Sequence, residues 1–337
     1  MASTRSAALR AGILATIACA CAPAPDLVIY CSLDQEFSEP LIAAFERETG
    51  LRVDAQYDVE RNKTVGMVQR LIAEREHPRA DVFWNNEIAQ TIRLEDLGLT
   101  AAYVPPTADA VPEEFRDGEG HWYGFAARAR VILHRTDREG GAPRTLDEML
   151  DPAFAPRGGL AKPLTGTTLT HFTVLAEQRG APAALEWLRR AEAAGLRWGS
   201  GNADVMRAVA RGDWDWCLTD TDDAAKAIED GHPVAIRYLE QEGPGSGTLL
   251  IPNTVCILQG APHREAAERF VAWLLRPQTE AVLAAATSRQ IPLLAGSAAP
   301  PGVGMPGRDF QALAVDWDAV AAALEARERE FRALLVR

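Results

Sequence analysis

A short apolar run, then a polar turn, then an amphipathic segment recurs along this chain, and that order restricts the fold more than any other feature. Residues 27–31 (LVIYC) form an unbroken apolar run of buried-strand type. Ser32, Leu33, Asp34, Gln35 and Glu36 follow, and a helical pattern over 38–49 closes at Gly50. Residues 51–57 read as a second strand, 64–73 as a helix, and 80–84 as a third strand that runs into Asn85, Asn86, Glu87 and another helix. This alternation predicts an α/β protein with a parallel sheet, whose functional residues lie in the turns at the carboxyl ends of the strands.

Residues 122–133 (WYGFAARARVIL) are apolar and extended through two arginines and lead out of this unit into a second one. There a strand at 159–161 meets the loop Lys162, Pro163, Leu164, Thr165, Gly166, Thr167, Thr168, followed by helices near 169–179 and 183–194. A polar turn, Gly199-Ser200-Gly201-Asn202, precedes a helix at 203–211 and a strand at 214–218. The apolar run 249–258 leads back, with helices at 264–275 and 280–286 after it. A chain of 337 residues suits two such units. The expected division is 27–127 with 252–295 as one lobe and 128–251 as the other, with crossings near 125–128 and 249–253. Residues 296–337 are expected to wrap the lobes and end in an amphipathic helix at 317–335.

The densest chemistry is the stretch Leu218-Thr219-Asp220-Thr221-Asp222-Asp223, between the last strand of the second unit and a helix expected from Ala224. Three carboxylates in four residues at such a junction call for a cation. Helix capping and dipole complementarity account for one or two of them equally well. An EF-hand loop does not fit, because Ala224 takes the next alternate position and the glycine and distal glutamate are missing. In the second unit, Thr165, Gly166, Thr167 and Thr168 offer hydroxyls and N–H groups just ahead of a helix, as an anion cradle or an ordinary cap.

Residues 1–22 read as an export leader: Arg5 and Arg10 precede an apolar run too short to span a bilayer. Ile17-Ala18-Cys19 resembles a lipoprotein signal, with Cys21 as a second candidate for acylation, which places the chain in the periplasm or on the outer face of the cell membrane. Loss of Arg5 and Arg10 with the leader takes the formal charge from −12 to −14. Such a surface does not suit nucleic acid. Cys31, Cys217 and Cys256 sit in apolar runs without zinc-ligand spacing and are expected as small buried hydrophobes. Gly302-x-Gly304-x-x-Gly307 follows no strand and is interrupted by Pro306, so it is not read as a dinucleotide fingerprint. No catalytic motif is complete; no enzyme activity and no cofactor are expected. The competing class is a secreted hydrolase using paired carboxylates such as Asp220 and Asp222.

Six ordered segments, VIYCSLDQEFSEPLIAAFERETG, RADVFWNNE, GFAARARVILHRT, AKPLTGTT, TDTDDAAKAI and LLIPNTVCILQGAPH, resemble the ferric-ion-binding family of ABC-transporter solute-binding proteins. The resemblance implies a two-lobed periplasmic-binding-protein fold, type II-like, with a two-strand hinge, which closes on a small molecule or ion and docks as a monomer on a membrane permease. Where members of that family carry histidine, glutamate and paired tyrosines, this sequence has Asp34, Asn86, Asp222 and Asp223. Phenolates are the hallmark donors for Fe(III), so no metal is favoured; were a hard cation bound, Asp34, Asp222 and Asp223 would hold it. The family's anion half matches Thr165, Gly166, Thr167 and Asn202. The expected ligand site comprises Ser32, Asp34, Gln35, Trp84, Asn85, Asn86, Glu87, Arg128, Thr165–Thr168, Asn202, Asp220, Thr221, Asp222 and Asp223, with Trp84 as a cation–π partner or a core residue. An oxyanion–ammonium zwitterion such as 2-aminoethylphosphonate is the expected ligand, with ferric iron and a bridging anion as the rival.

Overall fold

The computed structural model describes residues 24–58, 65–243 and 245–336. The leader, with Cys19 and Cys21, and Thr64 at the start of an expected helix lie outside the described residues.

The chain first lays down β1 (Leu27–Cys31), α1 (Gln35–Thr49), β2 (Val53–Tyr57), α2 (Val65–Ala73), β3 (Val82–Asn85), α3 (Ala89–Asp96) and the short β4 (Thr100–Ala101). The long β5 (Tyr123–Arg135) leads on to β6 (Gly158–Ala161), α4 (Gly166–Arg179), α5 (Ala181–Ala193), β7 (Arg197–Gly199), α6 (Asn202–Ala210), β8 (Trp216–Asp220), α7 (Thr221–Glu229) and β9 (Val234–Tyr238). Then come β10 (Leu250–Leu258), α8 (Arg264–Leu274), α9 (Pro277–Ala285) and α10 (Trp317–Leu335).

Strand order is β2-β1-β3-β10-β5-β8-β6-β7, with β4 paired to β10 and β9 to β5. β1, β2 and β3 are parallel, as are β6, β7 and β8, so each end of the sheet is a βαβ array. β5 serves both halves: residues 123–129 pair antiparallel with β10, and 130–135 pair with β8 and β9. The crossing is irregular. Ala126 takes a φ of 42° in mid-strand, and the register shifts between Pro252 and Asn253. Glu280 accepts the Ala126 N–H at 2.7 Å, Ala127 and Ile291 exchange backbone bonds of 2.8 Å, and the Asn253 amide donates to the Ala126 carbonyl.

Each half has its own aromatic core. Trp84 packs at 5.6 Å from Phe125, and Phe45 at 5.1 Å from Phe270, both edge-on or tilted. In the other half Phe172 packs on Trp187 at 5.0 Å and on Phe331 of α10 at 6.4 Å. A Cβ on Gly159 would collide with the Arg197 carbonyl, so only glycine permits the β6–β7 pairing. Cys31, Cys217 and Cys256 are free and buried, as their apolar runs predict. α10 lies against α3 of the first half and α4 and α5 of the second. No helix among the described residues is long and apolar enough to cross a membrane.

Candidate functional site

Between the two halves lies a cavity of ≈ 120 Å³. The turns after β1, β3, β6, β7 and β8 supply its walls: Asp34 and Asn86 from the first half, and Lys162, Thr165–Thr168, Ser200–Ala203, Asp220, Asp222 and Asp223 from the second. Arg128, from the crossing strand β5, completes it. A wider outer chamber of ≈ 350 Å³ shares Asp34, Ala203, Asp222 and Asp223 and opens along Gln35 and Glu36 of α1, Met206 and Arg207 of α6, and Lys226 of α7. The N-termini of α1, α4, α6 and α7 therefore all meet at one place, each bringing the positive end of a helix dipole. No side-chain cap closes the capping residues Asp34, Thr165, Gly201 or Asp220.

Behind the cradle stands Arg130, fully buried. Its Nη1 donates to Asp220 Oδ1 at 2.7 Å, Asn202 Oδ1 at 3.1 Å and Thr167 Oγ1 at 3.2 Å. Its Nη2 donates to Thr168 Oγ1 at 3.3 Å, and its Nε to His171 Nδ1 at 3.4 Å. The Asp220 carboxylate also accepts from Thr167 Oγ1 at 2.6 Å and Asn202 Nδ2 at 2.9 Å. One planar fork thus fixes the turns that open α4, α6 and α7 relative to one another. Burial raises the Asp220 carboxyl, but Arg130, Arg128 and the Thr167 bond outweigh it and hold it below the usual range. Asp220 is therefore ionised but already paired. His171 is driven down to about 3 by burial and the Arg130 charge, and stays neutral.

The charges that face the cavity behave otherwise. Arg128 is 3 % exposed; its Nη2 donates to the Asn86 carbonyl, and its Nε has no protein partner. Asp222 is pushed up to about 6, chiefly by burial, with Asp220 and Asp34 adding to the rise and Arg128 opposing it. Asp223 accepts from Thr219 Oγ1 at 3.0 Å, and its N–H donates to Asp222 Oδ1 at 2.9 Å. Carboxylate oxygens of Asp220, Asp222 and Asp223 lie within 4.8 Å of one another, an all-oxygen set that suits a hard cation. None of the five tyrosines, all within the described residues, lines the cavity. The cavity thus carries charge of both signs: Arg128 and the first turns of α4 and α6 are positive, and Asp34, Asp222 and Asp223 are acidic.

Several residues expected at the site are elsewhere. Trp84 is fully buried between Phe125 and Phe270 and does not line the cavity, so the core role is the one its position supports. Asn85 is spent on its own turn, donating to the Glu87 carbonyl at 2.6 Å and Thr91 Oγ1 at 3.0 Å. Glu87 caps α3, accepting from the N–H groups of Ala89 at 2.9 Å and Gln90 at 2.7 Å, and takes Thr170 Oγ1 of α4 at 3.2 Å. Burial holds its pKa above the usual range. Thr221 Oγ1 accepts the Ala129 N–H at 3.1 Å, Ser32 is buried, and Gln35 reaches only the outer chamber. The sequence offers Arg128 or Arg130 beside the site; Arg128 lines the cavity and Arg130 stands behind it, while Lys162 and Ser200 line it without having been in the expected ligand set. The loops that hold Lys162 and Ser200 are visible in the sequence, whereas nothing there distinguishes Arg130 from Arg128, which strand alternation assigns to the same face.

The family model for bacterial extracellular solute-binding proteins matches residues 40–307. Among curated relatives, the iron uptake protein A1 of Synechocystis is 27% identical over 284 residues, covering 80% of this chain and 76% of its own. The Fe(3+)-binding periplasmic protein of Serratia marcescens is 24% identical over 296 residues, covering 86% and 85%. Among solved structures, iron-bound HitA from Pseudomonas aeruginosa superposes with a TM-score of 0.80 at 23% identity, over 90% of this chain and 98% of its own. AfuA from Actinobacillus pleuropneumoniae with fructose-6-phosphate bound gives 0.77 at 20% identity, over 91% and 96%. These likenesses fix the fold as that of the two-lobed periplasmic binding proteins.

Proposed function

This chain belongs to the bacterial extracellular solute-binding protein family, and on that premise we propose that its cleft captures a small oxyanion–ammonium zwitterion, of which 2-aminoethylphosphonate is the simplest. It is a periplasmic solute-binding protein of an ABC importer, with ferric-binding proteins among its relatives. The observation that carries the ligand reading is the bipolar cavity. Arg128 Nε, without a protein partner, and the first turns of α4 and α6 receive the oxyanion. Asp34, Asp222 and Asp223 receive the ammonium. The role is capture and delivery rather than catalysis: Asp220, the other half of a conceivable acid–base pair, is tied to Arg130.

The rival is a hard cation, ferric iron above all, with a bridging anion, favoured by the clustered oxygens of Asp220, Asp222 and Asp223. The missing phenolates speak against it. Calorimetry on chelator-treated protein separates the two. Tight binding of 2-aminoethylphosphonate without metal supports the zwitterion; binding that appears only once Fe(III) is added with phosphate would refute it.

A further inference from the structure

Away from the cleft, the end of α3 and the loop ahead of β5 bring Glu95, Asp117 and His121 together. One oxygen of each carboxylate and one ring nitrogen lie within 4.8 Å of one another. The nearest arginines in sequence are engaged elsewhere, Arg93 with Glu325 and Arg116 with Asp109. Each of the three side chains is held at one polar atom by an outside group. Trp122 Nε1 donates to Glu95 Oε2 at 2.7 Å. The backbone N–H groups of Glu119 and His121 donate to Asp117 Oδ2 at 2.9 Å. Thr100 Oγ1 of β4 lies 3.0 Å from His121 Nδ1. Glu95 and Asp117 also face each other carboxyl to carboxyl within hydrogen-bond reach, so a cation bound among the three would take the place of a proton shared by that pair.

Metal ligands are held in this way, with an outer partner orienting each group. An imidazole with two carboxylates is not a mere acidic patch. Imidazole selects for borderline ions such as Zn²⁺ over Mg²⁺ or Ca²⁺, and three protein ligands leave a coordination position for water. We propose that Glu95, Asp117 and His121 form a divalent-cation site of the Zn²⁺ class, separate from the ligand cleft, which ties the loop before β5 to α3.

The test uses the full chain, stripped with chelator and titrated with Zn²⁺ alone. One saturable site is expected, weakened at least tenfold by either His121→Gln or Glu95→Gln and unchanged in Asp222→Asn. Anomalous scattering at the zinc edge from wild-type crystals should place a peak among the three side chains, a readout that depends on no variant's folding. Absence of that peak overturns the proposal. So does zinc binding that Asp222→Asn abolishes and His121→Gln spares, which would put the ion on the cleft aspartates.

Discussion

Folding raises the Asp222 carboxyl to about 6, so the folded chain binds this proton more tightly than the unfolded chain does. The stability this contributes is full below the unfolded value, is lost as pH rises through about 6, and leaves the ionised group a burden at neutral pH. Asp222→Asn should therefore stabilise the ligand-free protein at pH 7.5 by on the order of 1–2 kcal/mol, after discounting its partial exposure, an advantage that disappears near pH 4. The same variant should bind 2-aminoethylphosphonate about tenfold or more weakly, with a smaller loss for inorganic phosphate. Calorimetry across pH checks the link: the gap between wild type and variant narrows as pH falls below 6. Arg130 presents the reverse case. Arg130→Met strands the buried Asp220 carboxylate and should destabilise by about 3–5 kcal/mol in thermal unfolding, whereas a ligand contact on the surface would cost little. Asp34, Asn86 and Asp222 were legible because each is a polar group just beyond an apolar run, Arg128 because it is a charge within one, and Asn202 because it ends a polar glycine turn. Ser32, Asn85, Glu87 and Thr221 have the same chemistry in the same turns. What separates them is that their side chains are turned away from the cavity, those of Asn85, Glu87 and Thr221 onto backbone groups, and one sequence does not carry that information.

Two helices at the cleft start a turn earlier than their apolar periodicity predicts. α4 begins at Gly166 rather than near 169, and α7 at Thr221 rather than Ala224, so Asp222 and Asp223 lie in the first turn of α7 and not in a loop ahead of it. Polar first turns interrupt the apolar periodicity by which a helix is recognised, although they are where acidic and hydroxyl residues favour helix starts. β7 and β9 leave no strand signal in the sequence for a related reason: β7 has three residues and β9 is only half-buried, so neither forms an apolar run. At the start of α4, Gly166 has a φ of 58° and open space where a Cβ would stand. Gly166→Ala meets no clash there, but the left-handed backbone costs about 1–2 kcal/mol. Relaxation of that strain should turn the N–H groups of α4 away from the cavity. Phosphate affinity is then expected to fall severalfold in calorimetry, with a loss of about 2–4 °C in Tm per kcal/mol; unchanged affinity would mean that this turn does not hold the anion.

The site is assembled by the whole sheet rather than by either end of it. Asp34 and Asn86 leave strands of one half, Thr165–Thr168, Asn202 and Asp222 leave strands of the other, and Arg128 stands on the strand that joins them. A ligand held by both halves should draw them together about the crossing at Ala126 and Pro252–Asn253, where β5 and β10 are already irregular. Small-angle scattering should show a smaller radius of gyration with 2-aminoethylphosphonate than without, and no change would argue that the halves do not move. Repetition of strand, turn and helix made the two-unit architecture legible. The packing of α10 across α3 and α4 was not, because a helix's amphipathic stripe tells that it packs but not on what. The most direct measurement of the bipolar cavity is a crystal structure of the metal-free protein soaked with 2-aminoethylphosphonate. The phosphonate is predicted against Arg128 and the first turn of α4, and the ammonium among Asp34, Asp222 and Asp223. The reverse orientation, or an empty cavity that fills only when Fe(III) is supplied, would contradict it.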